Sequence, residues 1–414
     1  MIPYFQDLGA RIELQWLHHS YDEEVFPRLA VAELEKLPPA QHIKVEEIVS
    51  WTFARGQGLN QPANRSLFGE PPVMVFQAPR FFIEVLFWHS ATTEIHEHSF
   101  TGAFSVLAGG SVHSHWHFHT HQKVNSRLIL GALERASTEV LGPGDTREIY
   151  SGSRLIHQLF HLEVPSVTVV VRTYVDRDHL PQYQYLLPGL AVDHEAYDPL
   201  RARRLLFLEA MLRGHLGGLQ DRVHQLVESG DLETLLAMFS LLTRRKADPA
   251  LLAQFYEHAE RLYGEPIQIF REACDWERRT RIITSLRGKV SDPQARYLLA
   301  LLMLFPDRTA ILEVVRKQHP DVDPLTTIEE AVERMSGKEI IGFEFNQTNR
   351  VLFRGLLEGL DTDALLERLT CELHGQAVAE NRDRLVDHVR SLARSEVFLP
   401  LLSDSPLRRQ ALSA

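Results

Sequence analysis

The segment Glu94-Ile95-His96-Glu97-His98-Ser99-Phe100-Thr101-Gly102 sets two histidines two residues apart between strand-like runs. Side chains alternate along an extended chain, so His96 and His98 point to the same side. Neutral imidazole is the commonest side-chain ligand for first-row transition metals. Such a pair at the mouth of a small β-barrel is half of a site for iron, zinc, nickel or copper. Arg80 to Trp88 reads as a strand leading in, and Ala103 to Leu107 as a strand leading out to the Gly109-Gly110 turn. Glu97 has the opposite parity and faces away from the pair on a regular strand. Glu94 shares the histidines' parity and stays a second-rank candidate.

Working outward, Val140-Leu141-Gly142-Pro143-Gly144-Asp145 marks a second turn. Leu155-Ile156-His157 to His161 and Ser166 to Tyr174 follow as strand-like runs. The His-x-His pair, the Val106-Leu107 strand end before Gly109, the Pro143-Gly144-Asp145 turn and the late His157 resemble the two signature motifs of the cupin superfamily. That resemblance spans Pro71 to Val192. It implies a jelly-roll barrel, a double-stranded β-helix, with one metal on His96, His98 and His157. Many cupins add a glutamate a few residues past the second histidine, where this chain has Gly102 and Ala103. A three-histidine site without the acid is similar to the thiol dioxygenases, the cysteine dioxygenase-like branch. Val85-Leu86-Phe87-Trp88 and the placing of Tyr174 after His157 resemble that branch as well.

Two departures bear on the substrate. Where the branch keeps a second-shell histidine in a Ser-x-His-x-Tyr run, this chain has Arg172, with Val170 at the serine position. The strand that carries the substrate-gripping arginine of cysteine dioxygenase corresponds to Pro72 to Gln77, which has no arginine. The expectation is a small anionic substrate, thiol or diketone-like, other than free cysteine.

Three neutral imidazoles leave up to three positions open on a six-coordinate ion, room for a chelating substrate and O2. Fe(II) is the leading cofactor, with zinc, nickel or manganese as alternatives, since ligand identity alone does not select the metal. The leading function is therefore a non-haem Fe(II) dioxygenase, an oxidoreductase. A non-redox cupin isomerase or hydrolase on zinc or nickel, and a metal-dependent sensor or scaffold with a partner-binding helical region, are the alternatives. Arg172 and Tyr174 follow one strand at same-face spacing. Arg172 is a candidate anchor for an anionic group and Tyr174 a candidate proton donor; the competing readings are a salt bridge and a buried phenol.

Other histidines fall into second rank. His113, His115, His117, His119 and His121 alternate along one strand face, opposite Val112, Trp116 and Phe118. This predicts an outer face packed on a helix or partner subunit, or else a second metal site or pH-sensitive interface. If the face turns inward, His113 and His115 lie near the metal. His161 is expected beside the site or in strand-end structure, not as a fourth ligand.

The chain has 414 residues, 44% of them hydrophobic, enough for two or three domains with cores of their own. A formal charge of −11 argues against nucleic acid or an anionic membrane as the main partner. The partners expected are a small-molecule substrate and O2, with a homodimer left open. Cys274 and Cys371 give no disulfide framework, which suits a reducing cytoplasm. The N-terminus lacks an apolar signal core, and the run from Tyr297 to Phe305 is too short to span a bilayer.

Apolar stripes over residues 4 to 56 predict helices, and the Gly56 to Pro72 stretch predicts a polar loop. From Tyr197 the pattern is helical, with starts expected at Asp231, at Asp292 and at Thr327 with Glu330 as a capping box. Leu226 to Leu236 and Leu356 to Leu366 hint at a duplicated helical hairpin. The fold class expected is α+β multidomain: a helical segment over 1–70 packing on the barrel, a cupin barrel over 71–195, and an all-helical region over 196–414. The helical region from about Asp198 is expected to have its own core and to fold alone.

Overall fold

A computed structural model describes residues 2–54, 61, 69–89, 94–193, 195–335, 343–372 and 382–402. Most of the loop expected from Gly56 to Pro72 lies outside the described residues. The chain packs as two compact units, Met1–Arg278 and Arg279–Ala414. The first holds N-terminal helices, the described strands, and the helices that follow them. The second is helical.

The opening helices are α1 (Pro3–His18), α2 (Phe26–Lys36), α3 (Pro39–His42) and α4 (Val45–Phe53). Their apolar stripes, Phe5, Leu8, Ile12 and Trp16 on α1 with Phe26, Ala30 and Leu34 on α2, are fully buried. They pack on one face of a five-stranded antiparallel sheet ordered β1 (Pro72–Gln77), β2 (Phe81–Trp88), β9 (Ser166–Thr173), β4 (Gly102–Ala108), β7 (Thr146–Ile149). Ile83, Val85, Val169 and Val171 point into that helical layer. Their neighbours Glu84, Leu86, Trp88, Thr168, Val170 and Arg172 line a cavity on the opposite face. Both faces of β2 are thus buried, and its side chains are apolar except Glu84.

The other six strands close on themselves as an antiparallel barrel. Their order is β10 (Gln184–Leu186), β11 (Leu190–Val192), β6 (Leu128–Leu141), β5 (Ser111–Lys123), β8 (Gly152–His161) and β3 (Ile95–His98), with β3 returning to β10. In register, His96 stands opposite His157, and His157 opposite His115, so three strands bring three histidines into one row. The pairing of β5 with β8 ends at Trp116, while β5 and β6 continue together to Lys123.

The helices after the barrel are α5 (Pro199–Leu212), α6 (Leu219–Ser229), α7 (Leu232–Arg244), α8 (Pro249–Tyr263) and α9 (Glu265–Lys289). Their stripe, including Val223, Leu235, Phe239 and Phe255, closes over Leu128, Leu130 and Leu190 of the barrel. The compact-unit boundary falls within α9. Periodicity marks which helix face is apolar but not what covers it.

The second unit continues with α10 (Pro293–Leu304), α11 (Arg308–Gln318), α12 (Pro324–Arg334), α13 (Gln347–Glu358), α14 (Thr362–Glu372), α15 (Arg382–Ala393) and α16 (Leu399–Leu402). α10 is buried from Ala295 to Leu304 except at Tyr297, as a central helix should be. Asp231 and Asp292 cap α7 and α10 as expected. The Thr327 start is corrected: Asp323 accepts from the Thr326 N–H and Pro324 takes the first helical position, one turn earlier. Both stretches of the suggested duplication are a helix, a glycine and a helix, with Gly230 and Gly359 at the breaks. Among the described residues, no helix is long and apolar enough to cross a membrane.

Candidate metal centre

The barrel strands and the five-stranded sheet line a cavity between them. Its walls are mostly apolar: Leu86, Trp88, Phe100, Phe104, Ile149, Leu159 and Val170. His96, His98 and His157 form one part of the lining, and Glu84, Thr168 and Arg172 supply its other polar groups.

The three imidazoles are buried, and each offers a nitrogen within 4.8 Å of the others. The ring centroids of His96, His98 and His157 lie 4.6 to 4.9 Å apart. Nε2 of His98 and Nε2 of His157 are 2.8 Å apart. His96 Nδ1 is 2.7 Å from the carbonyl oxygen of Glu94. A carbonyl only accepts, so Nδ1 carries the proton and the His96 Nε2 lone pair is left for other use. Burial drives the His98 and His157 pKa values well below 6.5, which keeps both rings neutral. Neutral, buried imidazoles with nitrogens converging on one point are the donor set a transition metal takes. The site therefore fits a metal ion, and the donors do not say which.

His157 is in turn held from behind by other side chains. Its Nδ1 lies 2.9 Å from Nε2 of His113, and His113 Nδ1 lies 3.1 Å from Oε1 of Glu139. Arg147 holds that carboxylate through both oxygens, Nε to Oε1 at 2.9 Å and Nη2 to Oε2 at 2.5 Å. The hydrogen bonds from His113 and Arg147 hold Glu139 well below the usual carboxylate range. Desolvation lowers His113, with Glu139 pulling the other way, and lowers His115 to about 4. His115 Nε2 is 3.4 Å from His113 Nδ1, and His113, His115 and Glu139 form a second group with metal-ligating side chains.

The alternating histidine run is therefore split. His113 is buried and His115 half-buried, while His117, His119 and His121 are exposed. His117, His119 and His121 lie on an outer face but are exposed and, among the described residues, not packed on a helix, and the outer-face reading fails for His113. The split coincides with the end of β5–β8 pairing at Trp116, beyond which β5 has no β8 neighbour to cover it.

Three other candidates stand apart from the cluster. The Glu94 side chain is exposed, and what the residue gives the site is its backbone carbonyl. His161 stacks on Trp88 at 4.6 Å and meets Ser166 Oγ at 3.1 Å. Tyr174, expected as a proton donor, is 40% exposed and does not line the cavity. Its hydroxyl donates to the Ala78 carbonyl at 3.0 Å. The reason is that β9 ends at Thr173, so alternation carries Arg172 inward but does not extend to Tyr174. Glu97 does face away: it is buried among Tyr183 and Tyr185, and accepts from the Tyr185 hydroxyl at 2.6 Å.

Arg172 lines the cavity, yet it is not a free cation there. Its Nε is 2.7 Å from Oε1 of Glu84, and its guanidinium lies over the rings of Phe82 and Phe100. Burial pushes the Glu84 carboxyl up, and Arg172 pulls it back only in part. Glu84 is the functional-site residue that sequence reasoning missed. Its signal was present: the one charged residue in a strand otherwise apolar at every position. Of the two readings of Arg172, an anion anchor and a salt bridge, the structure shows the salt bridge.

No protein-family model and no curated protein matches this chain.

Proposed function

We propose that this chain is a metal-dependent dioxygenase that holds Fe(II) on His96, His98 and His157. The observation that carries the reading is a buried three-histidine cluster set in the wall of an apolar cavity. The cupin-like order of motifs along the chain supports a jelly-roll identity for the barrel. Three protein donors would leave positions on the ion for a chelating substrate and O2, and the ion would supply the redox chemistry between them.

The residues themselves support one substrate class. All three donors are neutral, so an anionic substrate donor, a thiolate or a diketone enolate, balances the ion's charge. Arg172 and Glu84 cancel one another and contribute no net charge to that balance. Leu86, Phe100, Phe104 and Val170 exclude water and accept an apolar body. Thr168, held by the Trp88 indole N–H at 3.0 Å, and the Arg172–Glu84 pair orient the polar end.

The test begins with metal analysis of protein purified without added metal. Anaerobic Fe(II) loading and oxygen-uptake assays with thiols and β-diketones follow. Stoichiometric iron with substrate-dependent oxygen uptake is expected, both lost in His96→Ala, His98→Ala and His157→Ala. Tight zinc or nickel with no oxygen uptake from the iron-loaded protein would overturn the dioxygenase reading.

A further inference from the structure

We infer that His113 and Glu139 are positioning residues for the metal centre, acting through His157 to fix which of its nitrogens faces the cluster. This rests on the proposed metal site, and it follows from a chain of hydrogen bonds whose direction is determined from one end.

Glu139 is the fixed end. Its carboxylate, gripped by Arg147, only accepts, so His113 Nδ1 is the donor in their 3.1 Å contact. With Arg147 matching the Glu139 charge, the buried His113 ring carries no second proton, and its Nε2 is bare. That atom lies 2.9 Å from His157 Nδ1 and accepts from it. His157 is left with its proton on Nδ1 and its Nε2 lone pair aimed at the cluster, where His98 Nε2 is 2.8 Å away. The direction of every bond is thus set by an anion two residues removed from the site. His96 reaches the same state by a different route, through the Glu94 carbonyl. Metal-bound histidines commonly anchor their second nitrogen in this way.

The arrangement also says what the relay does not do. Arg147 takes both oxygens of Glu139, so the carboxylate's charge is matched locally and does not reach the ion. The relay orients; it does not supply the missing anion. His113, His115 and Glu139 make the rival assignment, a second metal site. The two are exclusive at one atom, since His113 Nδ1 cannot both donate to Glu139 and bind an ion.

Two measurements decide. In the metal-free wild type, nitrogen-15 NMR of selectively labelled histidine should show His157 protonated on Nδ1. His113→Phe should lose that preference, while His113→Gln, whose amide oxygen can accept in place of Nε2, should keep it. Zinc affinity, read by chelator competition, should weaken about 10–100-fold in His113→Phe and stay near wild type in His113→Gln. A wild-type His157 protonated on Nε2, or equal losses in the two variants, would overturn the relay. So would two zinc ions per chain falling to one in His115→Ala. A wild type that binds no zinc or iron sinks the proposed function instead, and the NMR arm then still decides the relay.

Discussion

Removing the guanidinium of Arg172 while keeping its bulk, as in Arg172→Met, isolates the Glu84 carboxyl inside the cavity. The Arg172 and Glu84 side chains are 22% and 7% exposed, so no solvent takes over the neutralising role. In the wild type, burial raises the Glu84 pKa and the guanidinium lowers it again. In the variant only burial remains, so the carboxyl rises further, full protonation at neutral pH being the limiting case. Its ordinary value is 4.5. Protonation at about pH 7 therefore costs about 1.36 kcal/mol for each of about 2.5 pH units, about 3.4 kcal/mol. That figure is a ceiling, because the wild-type carboxyl already bears part of it. Loss of the cation from over Phe82 and Phe100 adds about 0.5–1 kcal/mol per ring at every pH.

The sign follows from the direction of the shift. A carboxyl raised in the folded state contributes its full stability below its ordinary pKa and loses it as pH rises through the raised value. The deficit of Arg172→Met against wild type should thus be smallest near pH 4.5 and grow by about 2–3 kcal/mol toward pH 7. Urea unfolding across that range measures it. Adding Glu84→Gln should abolish the pH-dependent part and leave the loss of ring contacts. If Arg172→Met and the double variant give parallel pH profiles, the pair is not buried as described and the reasoning fails.

Four further outcomes are expected. Tyr185→Phe removes a buried hydrogen bond to Glu97 and should cost about 1.5–3 kcal/mol in thermal or urea unfolding, with metal stoichiometry unchanged because Glu97 faces away from the three histidines. Leu130→Ala, in the apolar cluster shared by barrel and helices, should cost about 2–5 kcal/mol and raise hydrogen exchange in α5–α8; a fragment starting at Asp198 should bind a hydrophobic dye for the same reason. Tyr174→Phe should leave turnover of any substrate found by the oxygen-uptake assays within about twofold of wild type, since a phenol bound to the Ala78 carbonyl outside the cavity has no proton to give there.

How far the site was legible depends on which distances the sequence encodes. His96 and His98 share a face because period two operates within a single strand, and their own spacing states it. His157 came from a motif that pairs two distant segments, and the register confirms the encounter by setting it opposite His96. Helix caps at Asp231 and Asp292 were legible for the same short-range reason. Alternation, however, names a face without naming its neighbours. It grouped His113 with His117, His119 and His121, although only the part of β5 that β8 covers is drawn inward. It put Arg172 on the inner face but did not disclose Glu84, which arrives from β2 because Phe82, two residues away, pairs with Arg172 itself. A spacing rule cannot predict that meeting, since it is fixed by where two strands separated by more than seventy residues fall into register. Two of the residues that would bind the ion are therefore written locally, and the third in a motif. Those that decide what else enters the cavity, Glu84 with Arg172 and Glu139 with His113, exist as pairs only once the strands are aligned.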